Sequence, residues 1–304
     1  MGITLFLRSV AHKFSPYLMT YSATFVAILV LALAGGLFYY IFREEPMGPL
    51  PEFRKQWRRL LRKKVTFYKT LDRKEKKRFQ ERMRYFFQRV TITGIDTEVT
   101  ELDRVLVAVS GIIPTFGFDD WNQYPKLREV ILYPNTFNKE TFATEGSDRT
   151  IAGMVGGGYM NGKLLLSQHA LRAGFDSAGR HNTGIHEFTH LLDKADGETD
   201  GIPDYFLDKQ YLIPWVEMIR KEMAAIQHGN SDIDDYALTN QAEFFAVAAE
   251  YFFNRPKAFA SKHPELFSLM ERIFHQDLDH DGGVGTIDHT DPVVLDEDKA
   301  ANIT

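Results

Sequence analysis

The sequence predicts an α+β protein, mainly helical with a small sheet, preceded by one transmembrane helix. Three observations predict it. Residues 23–42 form an apolar run without a single charge. Short β-prone segments in the middle of the chain are bounded by Gly, Asn and Pro turn signals. From residue 183 onward, apolar residues recur at helical spacing in four successive segments.

The run 23–42, ATFVAILVLALAGGLFYYIF, is 20 residues long, enough to cross a bilayer as a helix. Tyr39 and Tyr40 stand at one end, where an aromatic belt is expected. No small-residue cleavage site comes after it, which argues against a removed signal peptide. Arg8 and Lys13 precede the run, whereas Arg43, Arg54, Lys55, Arg58, Arg59 and Arg62 succeed it. The positive-inside rule then puts the C-terminal bulk in the cytoplasm. A Pro-rich joint, EEPMGPLP, separates the anchor from the main domain. The expected division is 1–46 for tail and anchor, 47–275 for the main domain and 276–304 for an acidic tail.

Segments 53–71 and 72–90 carry Phe53, Trp57, Leu60 and Leu61, then Phe79, Met83, Phe86 and Phe87, at helical spacing. Between Phe53 and Arg89 lie sixteen Lys or Arg against three acids, within a chain of net charge −5. Such a block reads as two solvated helix faces, and equally as a surface for anionic lipid, each nearby cation adding about 1 kcal/mol. Direct nucleic-acid binding is not expected. Segment 106–113 is ambiguous between helix and strand. Segments 130–133 and 163–167 read as strands. Helices are expected over 183–194, 206–228, 240–253 and 264–275, with Thr183 and Asn240 as N-caps.

The chemistry is concentrated in His186-Glu187-Phe188-Thr189-His190, an H-E-x-x-H pentad. On a helix, positions i and i+4 share a face, so two imidazoles can grip one metal ion while the glutamate beside them holds a water. With no cysteine in the chain, thiolate sites and disulfides are excluded, and a metal must use imidazole and carboxylate. A catalytic zinc wants three protein ligands and an open position. Three residues compete for the third place. Asp196 stands six residues after His190, but the glycine that such a spacing needs is replaced by Asp193. Asp193 shares a helix with both histidines and is better placed to accept a hydrogen bond from a ligand imidazole. Glu243 lies on a separate, almost wholly apolar helix, where an unpaired carboxylate is costly and a metal ion compensates it. Glu250, seven residues on, shares its face and is expected to support the site or to act as an alternate ligand.

Four stretches carry a resemblance: IPTFGFDDWNQYPKLREVILYPNTF, GGGYMNGKLLLSQ, NTGIHEFTHLLDKADGETDGIP and DDYALTNQAEFFAVAAEYFFNRP. Their order and spacing, from about Trp57 to Pro264, resemble the zinc peptidases of the Mlc titration factor A family. That family is similar in turn to the catalytic domain of anthrax lethal factor. The resemblance implies a zincin-like metallopeptidase domain, zinc on His186, His190 and Glu243, Glu187 as general base, and Tyr236 as donor to the oxyanion. It implies aminopeptidase or short-peptide cleavage of a peptide or protein substrate. It also suggests a rival role, capture of a transcriptional repressor with latent activity. The apolar run and the cation count, by contrast, make the expectation a single-pass protein of a bacterial inner membrane, catalytic domain inside. The chain departs from the family in its anchor, and neither His169 nor His181 matches the upstream histidine of some relatives.

The tail opens Asp277-Leu278-Asp279-His280-Asp281-Gly282-Gly283, the front half of an EF-hand loop, with Asp288 in the twelfth position. It reads as a weak calcium site on Asp277, Asp279, Asp281, Gly283 and Asp288, or as a solvated acidic tail. Calcium would fill it more readily outside a cell, which favours the extracytoplasmic face and opposes the cation rule.

Overall fold

A computed structural model describes residues 25–40, 48–119, 124–138, 151–156, 161–176, 180–195, 197–204 and 206–278. The chain divides into two compact units, 1–48 and 49–304. In the first, residues 25–40 form helix α1, whose side chains, Phe25, Ile28, Leu31 and Phe38 among them, are exposed. Among the described residues no helix is long and apolar enough to cross a membrane. Positions 23, 24, 41 and 42 of the expected span lie outside the described residues.

The second unit begins with α2 (Lys55–Lys64), α3 (Thr66–Thr70) and α4 (Arg73–Arg89). The expected helix 53–71 breaks at Val65, whose backbone is extended. Asp72 starts α4 with a capping box: it accepts from the Glu75 N–H while Glu75 accepts from its own, both at 2.7 Å. Trp57, Leu61, Phe79, Met83 and Phe86 turn inward and leave most of the cations outside, Arg82 excepted, which is buried and donates to the Thr115 and Phe118 carbonyls.

β1 (Thr91–Gly94) leads to α5 (Glu101–Thr115), which settles the ambiguous segment as helix. It is buried from Val105 to Thr115, so periodicity had nothing to register. β2 (Glu129–Tyr133), β3 (Gly153–Val155) and β4 (Lys163–Ser167) complete a sheet of order β1-β2-β4-β3. The first three neighbours are parallel, and β3 runs antiparallel to β4 at the edge of the sheet formed by the described residues. Alternation sends Val130, Leu132, Leu164 and Leu166 into the main core. Ile131, Tyr133 and Leu165 meet Phe137 on the opposite face.

Then come α6 (Gln168–Gly174), α7 (Thr183–Asp193), α8 (Lys209–Gln227), a 3-10 turn (Asp235–Leu238), α9 (Gln241–Asn254), α10 (Pro256–Lys262) and α11 (Pro264–Phe274). The H-E-x-x-H pentad lies on α7, packed between α5 and α9. A Cβ at Gly184 would run into the Ser110 hydroxyl, so glycine sets how closely α7 approaches α5. At the foot of α5, buried Asp103 takes two hydrogen bonds from Arg172 of α6, at 2.7 and 2.8 Å, and one from Gln168. Burial alone raises the Asp103 pKa, but these partners outweigh it and hold the carboxyl below its ordinary value.

Candidate metal centre

Asn182, not Thr183, caps α7: its side-chain oxygen accepts from the Ile185 N–H at 3.1 Å. That start fixes the register in which His186 and His190 project from one face. Asn240 caps α9 by accepting from the Glu243 N–H at 2.9 Å. Glu243 therefore sits in the first turn, where the helix dipole favours a carboxylate.

The two helices bring three ligand atoms together. His186 Nε2 lies 3.0 Å from Glu243 Oε2 and 3.2 Å from His190 Nε2, and His190 Nε2 lies 3.4 Å from Glu243 Oε2. Zinc at about 2.1 Å from each ligand of a tetrahedron needs edges of about 3.4 Å. The triangle is of that size. One proton can bridge only one of these pairs, whereas a single cation satisfies all three atoms. The donor set of two imidazoles and one carboxylate suits zinc.

Glu250, one turn from the end of α9, turns away from the triangle. Its Oε1 lies 2.7 Å from His186 Nδ1, and its Oε2 accepts from the Asn182 backbone N–H. One carboxylate thus binds both the start of α7 and a ligand ring, which makes Nδ1 the donor and leaves the Nε2 lone pair for the metal. Burial opposes protonation of His186, but Glu243 and Glu250 outweigh it and, without a metal, lift its pKa to about 10. Burial also pushes Glu243 upward, yet its histidine partners hold it well below the usual carboxylate range.

Among the described residues, Asp193 accepts no hydrogen bond from His186 or His190. Both its oxygens accept from the Gly201 N–H, at 3.1 and 2.9 Å, and tie down the loop after α7. His190 Nδ1 is buried without a hydrogen-bond partner, so a metal on Nε2 is what remains to orient this ring. Asp196 lies outside the described residues, as do Asp279, Asp281, Gly283 and Asp288 of the acidic loop; Asp277 is described.

A cleft of about 580 Å³ opens over the triangle. Its walls are β3 with Ile151, the ligand face of α7 as far as Lys194, residues 199–200, Tyr236 and the start of α9. Glu187 is buried at its edge, and burial raises its pKa while the two histidines pull it down. β3 passes so close to Glu187 that a Cβ at Gly153 would overlap its carboxyl group. Tyr236 stands on the 3-10 turn, half exposed, its ring centre 6.0 Å from that of His186. Desolvation, then the charges of Glu243, Glu187 and Glu250, raise its pKa and keep the phenol a donor.

Sequence reasoning missed Gly153 and the role of Asn182. A three-residue edge strand has no periodicity to read, and a glycine that makes room announces nothing about its neighbour.

Two histidines one helical turn apart, a glutamate between them and a second glutamate from another helix form the residue pattern of the HExxH metallopeptidases. The chain belongs to the family described as glucose-regulated metallo-peptidase M90, which it matches over residues 43–275. An uncharacterized protein of Synechocystis sp. is 24% identical over 269 residues, covering 81% of this chain and 95% of its own length. Mlc titration factor A of Pectobacterium atrosepticum is 28% identical over 158 residues, 49% of this chain and 59% of the relative. The Salmonella gallinarum protein of the same name is 30% identical over 162 residues, again 49% and 59%. The chain thus spans little more than half the length of these two titration factors.

Proposed function

We propose that this protein is a zinc-dependent peptidase that hydrolyses peptide bonds in short substrates, as an aminopeptidase or a cutter of small peptides. The observation that carries the reading is the triangle of His186, His190 and Glu243, edges 3.0 to 3.4 Å, with Glu187 buried alongside. Zinc held there supplies Lewis acidity, polarising the scissile carbonyl and acidifying the attacking water. Glu187 accepts the proton of that water and returns it to the leaving amine, a role that its raised pKa suits. Tyr236 donates its hydroxyl proton toward the oxyanion that develops on the carbonyl. The test is metal content and peptide turnover of the full-length protein beside His190→Ala and Glu187→Gln. His190→Ala should lose zinc. Glu187→Gln should keep it while turnover falls at least ~100-fold; full activity in Glu187→Gln would sink the assignment.

A second reading, favoured by the name of the titration factors, is capture of a transcriptional repressor with turnover latent. A repressor bound equally well by wild type and Glu187→Gln, with no peptide cleaved, supports it. In either case residues 23–42 are proposed to tether the domain to a bacterial inner membrane on the cytoplasmic side. The exposed cations of α2–α4 would lie against anionic lipid. An active phosphatase fused to the C-terminus would place the domain on the other face.

A further inference from the structure

Lys194 succeeds His190 by one helical turn and lines the metal cleft. It also lines a second hollow, of about 210 Å³, whose wall continues through Val155, Leu191, Leu127 and Tyr124. Val155 and Lys194 belong to both, so the two depressions adjoin at the C-terminal end of β3, whose other edge pairs with no strand among the described residues. Lys126 and Lys163 complete the cationic lining, and among the described residues no acid lines this hollow. Lys163 is paired with Glu129 at 2.7 Å. Lys126 and Lys194 have no ion pair among the described residues, so two ammonium groups border one depression that no described acid lines.

The spacing is that of a bound peptide. Gly153 abuts Glu187, and Val155 lies two residues further along β3, about 7 Å for extended chain. A substrate extended along this edge carries a group two or three positions from the scissile bond into the second hollow. We infer that this hollow receives a carboxylate of the peptide, held by Lys194 and Lys126, with its alkyl stem against Val155, Leu127 and Leu191. The inference rests on the peptidase reading. The carboxylate is either an Asp or Glu side chain or a free C-terminus.

The test uses the full-length zinc-loaded protein and quenched fluorescent peptides. These carry Glu or Gln two and three positions on either side of the bond, each with a free or an amidated C-terminus. Binding of the same peptides to Glu187→Gln, tracked by anisotropy, gives a readout without turnover. The acidic peptides should be favoured about fivefold or more, through KM and through the binding constant. In Lys194→Met the preference should collapse, and in Lys194→Glu it should reverse toward peptides with Lys in place of Glu. Preference that survives amidation assigns the side chain; preference that vanishes on amidation assigns the terminus. Equal cleavage and equal binding of all peptides by an active wild type overturn the inference and leave the peptidase standing. If no peptide is cleaved, the peptidase reading fails, and the anisotropy series alone decides whether the hollow prefers carboxylates.

Discussion

Glu250 Oε1 and His186 Nδ1 lie 2.7 Å apart, both buried, on the side of the imidazole opposite the metal triangle. The same carboxylate holds the Asn182 N–H at the head of α7. Glu250→Gln leaves the three ligand atoms in place but weakens the contact that orients one ring. Zinc affinity should fall ~10- to 100-fold, read by competition with a chromogenic chelator. Unchanged affinity would mean that packing alone fixes the ring.

Zinc binding should release protons. With His186 lifted to about 10, the metal-free site carries an imidazolium at neutral pH, and the ion must displace its proton. Apparent affinity should therefore rise with pH up to that value, by as much as about tenfold per unit. Calorimetric titration in buffers of different ionisation enthalpy measures the protons released; heats that do not vary between buffers contradict the prediction.

Tyr236→Phe keeps the ring and removes the donor. If the hydroxyl meets charge only as it develops, kcat should fall roughly 100-fold while KM stays within about twofold. A change confined to KM would assign the ring to substrate packing instead.

Away from the cleft, His263 bridges Glu222 of α8 at 3.0 Å and Asp232 of the loop after α8 at 3.1 Å. Asp232 also accepts from Lys262 and from Tyr251, whose hydroxyl is pushed up to about 12 by burial and by that carboxylate. Burial opposes the charge on His263, but Glu222 and Asp232 outweigh it and raise its pKa. Asp232 is shifted upward by burial and, more strongly, downward by Lys262, His263 and Tyr251. The His263 contribution is therefore complete below the unfolded value near 6.5 and fades as pH climbs through the raised folded value; that of Asp232 fades as pH drops through its depressed one. His263→Gln should cost about 3 kcal/mol in mildly acidic to neutral solution, and the gap in thermal midpoint from wild type should narrow at alkaline pH. A gap independent of pH would show that only shape was lost.

Much of the site was legible in the order of residues alone. The pentad and the apolar helix around Glu243 emerge from side-chain chemistry and a period of 3.6, and both survive into α7 and α9. β2 and β4 were readable because β-branched or leucine-rich runs between turn signals have few other uses. β1, β3, α6 and α10 were not, since four, three, seven and seven residues offer too little pattern. The partner of each carboxylate was hidden for another reason. Asp193 and Glu250 are equally plausible supports for an imidazole until the crossing of α7 and α9 decides which one faces a ring. Glu250 wins that place, and Asp193 is spent on the loop at Gly201.

Gly153 leaves only a hydrogen atom between the main chain of β3 and the carboxylate of Glu187. Any larger residue there must displace the Glu187 side chain, while His186, His190 and Glu243 are drawn from two helices and none of their atoms is among those nearest Gly153. If the cleft cleaves peptides as proposed, a single codon at Gly153 would remove hydrolysis and leave His186, His190 and Glu243 in place, so that binding and cleavage would lie one mutational step apart on the same scaffold.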